Sequence, residues 1–209
     1  MSLSLPTFNE LRANYPLTSH ESMMAAIGGG VSANYILNGC VIRMSKAFNY
    51  LGNNGPEWKL SPAPNWKNKP GSQFDFSKDK SAIVERSKIH TIPANYKYIS
   101  HFTTTYGLDK KRYCFRVDEF FNYMNHKYKK FDLKIEKQPR QQMIPYETLA
   151  DFKKLIQGKT GIICFKTKFG EDAPGTAASG HFTLWDGNAC LYGDYFTDPR
   201  TTGIYLWKC

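Results

Sequence analysis

Two hydrophobic periods share this chain. Near the start, Thr7 with Glu10 and Thr18 with Glu21 have capping-box spacing and predict two short helices, the first ending before Pro16. The glycines at 28–30 stop the second helix and lead into an extended stretch. Cys40, Met44, Ala47 and Phe48 then recur at helical spacing, which predicts a helix over 40–51 closed by Gly52. Beyond it the periodicity lapses. Pro56, Pro62, Pro64 and Pro70 punctuate a polar segment whose Trp58, Trp66, Phe74 and Phe76 need burial or a ligand. We read 53–112 as an elaborated insertion, with a helix in SKDKSAIVERSK. Val117, Phe120, Phe121 and Met124 predict an amphipathic helix with a basic end. Leu149, Phe152, Leu155 and Ile156 predict another over 147–157, stopped by Gly158. The shorter period then takes over: 161–167, 181–186, 189–196 and 203–208 read as antiparallel strands in a meander. The fold class is α+β, with N-terminal helices packed on an antiparallel sheet in a single domain, 1–209.

Composition supports a packed chain: 209 residues, 41% hydrophobic and 15% aromatic, exclude a low-complexity or disordered protein. Lys and Arg exceed Asp and Glu by 28 − 18, a net charge of +10 that favours polyanionic partners such as nucleic acid, anionic lipid or a carboxylate-rich polymer. No apolar run reaches the ~18 residues of a membrane span, and the start lacks the basic and apolar regions of a secretory signal. Neither membrane insertion nor export through a signal peptide is therefore expected. The five cysteines (Cys40, Cys114, Cys164, Cys190 and Cys209) form no C-x-x-C pair, so neither a metal site nor any other cofactor is expected. Cys190 and Cys209 are the candidates for a single bridge, and at least one thiol stays unpaired.

A cysteine opening a helix is usually a small buried hydrophobe, yet the same position suits a nucleophile. The free N–H groups and the dipole of a helix N-terminus stabilise a thiolate and the oxyanion of a tetrahedral intermediate. Cys40 follows Gly39 at such a terminus. His181, directly after Gly180, stands at the entrance of a predicted strand. A helix-start Cys and a strand-start His are the pair that papain-like cysteine peptidases bring together at a sheet edge. The remaining histidines (His20, His90, His101 and His126) lie in polar, tyrosine-rich or basic surroundings and read as surface or structural residues. A third group should orient the imidazole. A turn centred on Asp186-Gly187 sets Tyr192 opposite His181, whereas one centred on Gly187-Asn188 sets Asp194 there. A carboxylate holds an imidazolium better than a phenol, which favours Asp194.

NGCVIRMSKAFNYLG, YCFRVDEFFNYM, GIICF and GHFTLWDG, in this order, resemble the fourth family of type VI secretion amidase effectors, papain-like proteins of the NlpC/P60 kind. The resemblance spans most of residues 25–200. It implies a peptidoglycan endopeptidase cutting between D-glutamate and meso-diaminopimelate. It also implies delivery by the secretion machinery into the periplasm of a rival bacterium, and a cognate immunity protein. Cys40 matches the family's nucleophile and His181 its base, while the place of its third residue, an aspartate, is held here by Tyr192. With such a substrate, Arg43, Gly180 and Trp185 are the expected substrate-binding residues. The implied chemistry is attack by a Cys40 thiolate paired with a His181 imidazolium, with the Cys40 N–H holding the oxyanion.

Two other classes compete. The aromatic and basic residues of 58–113 would suit a glycan- or nucleic-acid-binding module, although no nucleic-acid motif is present and nucleic acid is not expected as a partner. A Cys/His acyltransferase would use the same pair with a different acceptor.

Overall fold

A computed structural model of the protein describes residues 3–32, 36–51, 90–169 and 178–209. The helix expected in SKDKSAIVERSK, its neighbouring tryptophans and phenylalanines, and Gly52 lie outside the described residues. Helix α1 (Phe8–Arg12) carries the expected capping box between Thr7 and Glu10. Helix α2 (His20–Ile27) starts one residue later than Thr18 suggested: Ser19 is the cap, its hydroxyl accepting from the Ser22 N–H. Gly28, with φ at 64°, closes α2 in a conformation that favours glycine.

Helix α3 (Cys40–Asn49) is buried nearly all round, with Cys40, Met44, Ala47 and Phe48 in the main core. Strands β1 (Thr104–Tyr106) and β2 (Arg112–Cys114) form a hairpin that sequence periodicity missed. Ser45 and Asn49 tie that hairpin to α3: the Cys114 N–H donates to the Ser45 hydroxyl, and the Asn49 amide donates to the Arg112 carbonyl. Helix α4 (Val117–Lys127) buries Val117, Phe120 and Met124 as its spacing predicted, but Tyr123 is buried with them while Phe121 is only partly buried. Helix α5 (Tyr146–Ile156) buries Leu149, Phe152 and Ile156, but Leu155 is turned out to solvent.

The main sheet is antiparallel, with strands ordered β3 (Leu133–Glu136), β6 (Thr201–Lys208), β4 (Gly161–Thr167), β5 (His181–Trp185). The order corrects the expected meander, because β6 pairs with β4 and not with a neighbour after β5. Residues 189–196 also form no strand; only a bridge from Trp185 to Cys190 continues the hairpin. Helices cover both faces of β4, which explains its unbroken apolar run. Ile162 and Cys164 pack in the core with α3 and α4, and Ile163 and Phe165 pack with α5. Strand β5 is left at the sheet edge, against α3. All five cysteines are free thiols, so the Cys190–Cys209 bridge is not formed. Among the described residues no helix is long and apolar enough to cross a membrane.

Candidate active site

The turn into α3 and the start of β5 meet at one cleft of about 310 Å³, whose walls include His20, Asn38, Cys40, Arg43, His181, Tyr192 and Tyr195. Asn38 joins the two sides. Its side-chain oxygen accepts from the Cys40 N–H at 3.0 Å, and its amide donates to the Gly180 carbonyl at 3.4 Å. One residue thus reaches from two positions before the cysteine to the position before the histidine.

His181 is fixed on its far side by main chain. Its Nε2 lies 2.7 Å from the Tyr192 carbonyl. A carbonyl only accepts, so Nε2 carries the proton and Nδ1 is left with a free lone pair. The Tyr195 ring lies 4.8 Å from the imidazole, centre to centre. Gly193 holds φ at 73°, and a Cβ there would lie 2.8 Å from Nε2. Glycine is required on both counts.

Burial governs the charge states. His181 is 4% exposed, and burial lowers its pKa from 6.5 to about 4, with Arg43 acting in the same direction against the Tyr192 hydrogen bond. Cys40 is 3% exposed, and burial pushes its thiol from 9.0 up to about 11, opposed by hydrogen bonding from the backbone of Phe182 and Val41 and by the charge of Arg43. Both shifts favour a neutral thiol and a neutral imidazole, in contrast to the thiolate–imidazolium pair that the resemblance implied. The Cys40 N–H, expected to hold an oxyanion, is occupied by Asn38.

The family described as type VI secretion system amidase effector protein 4, or Tae4, matches residues 36–207. The chain belongs to the Tae4 family. Its fold is similar to the Tae4 effector from Enterobacter cloacae, at 24% identity and a TM-score of 0.61 over 100% of this chain and 99% of that one. It is also similar to a Tae4–Tai4 effector–immunity complex from the same organism, at 25% identity and a TM-score of 0.61 over 98% of each chain. A Tae4–Tai4 complex from Salmonella Typhimurium aligns at 24% identity and a TM-score of 0.59 over 98% of this chain and 99% of that one. No curated protein matches the chain.

In this Tae4 chain the other expected site residues are placed differently from Cys40 and His181. The Asp186 N–H bonds the Ala189 carbonyl, so the turn centres on Gly187-Asn188, the register that points to Asp194. The ladder ends too early for that register to reach His181. Leu191 still donates to Leu184, but the Tyr192 N–H turns to the Thr183 hydroxyl, and Gly193 then swings the chain away. Asp194 ends in a turn of its own, accepting from the Phe196 N–H at 2.9 Å and facing Lys153 at 3.5 Å. The position that the Tae4 resemblance assigned to an aspartate thus serves His181 through its main-chain carbonyl. Gly180 packs under the sheet, where a Cβ would meet the Phe165 carbonyl at 2.4 Å, so it brings backbones together and does not line the cleft. Trp185 lies elsewhere: it is 1% exposed, and its Nε1 donates to the Ile156 carbonyl beneath α5. Arg43 does line the cleft, but at 1% exposure.

Sequence reasoning missed four contributors. Asn38 carried a usable signal, since Asn two residues before a helix start accepts from backbone N–H groups. His20, at the first turn of α2, is one of the histidines that read as surface or structural residues; its ring packs on Gly39 and lines the cleft. Tyr195 and the Tyr192 carbonyl had no signal in residue type.

Proposed function

We propose that the protein is a peptidoglycan amidase of the cysteine type, cutting the stem peptide between D-glutamate and meso-diaminopimelate. The observation that carries the mechanism is the convergence of Cys40 and His181 on one cleft, with His181 Nε2 engaged by a carbonyl so that Nδ1 is free. As Cys40 sulfur attacks the amide carbon, Nδ1 takes the thiol proton. The amide C–N bond then breaks, and the same proton passes to the leaving amine, which leaves an acyl thioester. Water attacks the thioester carbon while Nδ1 accepts one of its protons; the C–S bond breaks as that proton returns to sulfur, and the carboxylic acid product departs and loses its own proton to solvent. The positive end of the α3 dipole lies beside the developing negative charge. A general-base start fits the neutral resting pair better than a preformed ion pair does.

Membership in the Tae4 family supports delivery by type VI secretion and action in the periplasm of a target cell. The net charge of +10 suits a carboxylate-bearing polymer. The Tae4–Tai4 effector–immunity complexes of its structural relatives support a cognate immunity protein for this chain.

The test is digestion of defined muropeptides, read by mass spectrometry, with wild type and Cys40→Ala. Wild type should release fragments ending in D-glutamate, and Cys40→Ala should release none while keeping its thermal transition. Cleavage by Cys40→Ala would refute the nucleophile, and cleavage at another bond would refute the specificity.

A further inference from the structure

Arg43 is an odd residue for a helix interior. It lies one turn after Cys40, and its guanidinium carbon stands 3.6 Å from the centre of the Tyr192 ring. Its Nη1 donates to the Pro16 carbonyl at 2.6 Å, while its buried Nη2 has no partner among the described residues. A buried guanidinium with one nitrogen unpaired is a poor way to stabilise a core, where an apolar side chain of similar volume does as well. What the arrangement does accomplish is to fix Tyr192. That residue is held by three separate contacts: its ring by Arg43, its N–H by the Thr183 hydroxyl at 3.1 Å, and its carbonyl by His181 at 2.7 Å. The contacts matter because no strand pairing continues past Leu191, and Gly193 would otherwise leave the carbonyl free to rotate.

We propose that Arg43, through its stack on Tyr192, is a positioning residue that holds the Tyr192 carbonyl against His181 and thereby sets the tautomer of the imidazole. This inference rests on the amidase reading above. It assigns to a main-chain oxygen and a cation–π clamp the orienting task expected of an acidic side chain. A carbonyl carries no full charge, and Arg43 adds a positive one that disfavours the imidazolium, so the ring stays neutral with its proton on Nε2 and Nδ1 unprotonated. The other titratable groups at the cleft are Cys40 on α3, His20 on α2, and Tyr192 and Tyr195 after β5. The carboxylate nearest in sequence, Asp194, faces Lys153.

Four variants test it: Tyr192→Ala, Tyr192→Phe, Arg43→Met and the charge-keeping Arg43→Lys, which also serves should the methionine fail to fold. Steady-state cleavage of a defined muropeptide gives kcat and KM, and nitrogen-15 NMR of the unliganded proteins follows His181 against pH. Tyr192→Ala and Arg43→Met should lower kcat by at least about tenfold, the factor that 1.4 kcal/mol sets, with KM within about threefold. Tyr192→Phe, which keeps the ring and the carbonyl, should restore what Tyr192→Ala loses. The His181 midpoint should rise in Arg43→Met, and the Nε2–H resonance should lose its hydrogen-bonded shift in Tyr192→Ala. Arg43→Lys should retain the low midpoint, since it keeps the charge. A raised KM with unchanged kcat in Arg43→Met would overturn the proposal in favour of direct substrate binding. An unchanged Nε2–H resonance in Tyr192→Ala would overturn it outright. If wild type fails to cleave muropeptides, the amidase reading falls, while the NMR arm still decides whether Arg43 and Tyr192 position the ring.

Discussion

Acid should unfold this protein earlier than its carboxylates alone would require, and His181 is the reason. In the unfolded chain the imidazole takes a proton near 6.5; in the folded protein burial delays that to about 4. Between those values the unfolded state binds more protons. Stability is therefore complete above 6.5, declines as the pH falls, and the whole contribution is gone below about 4. At roughly 1.4 kcal/mol for each pH unit, the loss amounts to about 3 kcal/mol, a large share of the stability of an ordinary domain. The measurement is urea unfolding of wild type and His181→Gln at intervals from neutral pH to pH 4. Glutamine does not titrate and can still donate to the Tyr192 carbonyl. Asp118, Asp132, Glu136, Asp186 and Asp198, all with lowered pKa values, are common to both proteins, so their contribution cancels in the difference. The stability difference should shift by about 3 kcal/mol across the window, against wild type at the acid end. Parallel curves would refute the reasoning, because they would mean that His181 titrates alike in folded and unfolded chains.

Three further outcomes follow from the cleft. Asp194→Asn should retain activity within about twofold on muropeptides, whereas loss of a true triad carboxylate costs about ten-thousandfold; a large loss would return Asp194 to the site. Gly193→Ala should cost about 1–3 kcal/mol in thermal or urea unfolding, since φ stands at 73° and the new Cβ meets the imidazole, and should displace the His181 ring. An unshifted His181 NMR signal in that variant would count against the contact. Asn38→Ala removes two hydrogen bonds at about 1 kcal/mol each and should also lower kcat by about tenfold. A loss of stability with kcat unchanged would show that Asn38 only braces the fold.

How far the sequence revealed this site depends on which atoms carry the chemistry. Side chains with a strong type signal were legible: Cys40 after glycine at a helix start, His181 at a strand start, the Thr7 capping box, and the apolar stripes of α3 and α4. Strand β3 was not, because it is a four-residue edge strand whose two apolar positions, Leu133 and Ile135, are only half-buried and alternate with Lys134 and Glu136, too short a pattern to stand out. Residues 189–196 looked like a strand by composition. Gly193 and the Asp194 turn break the ladder, a local backbone preference that outweighs the aromatic pattern. The place of β6 beside β4 is a matter of tertiary packing, which neighbourhood along the chain does not encode. The Tyr192 carbonyl was least accessible of all, since every residue has one.

The resting thiol at Cys40 has a consequence for the life of the protein before it meets substrate. Thiolates, not thiols, attack peroxide and low-molecular-weight disulfides, and the thiolate fraction here is small because the group ionises only near 11. The other four cysteines are free thiols too, so the fold described here holds without a disulfide staple. In the proposed mechanism, the desolvation that shields this sulfur from premature capping also leaves it to be activated by a carbonyl and a base.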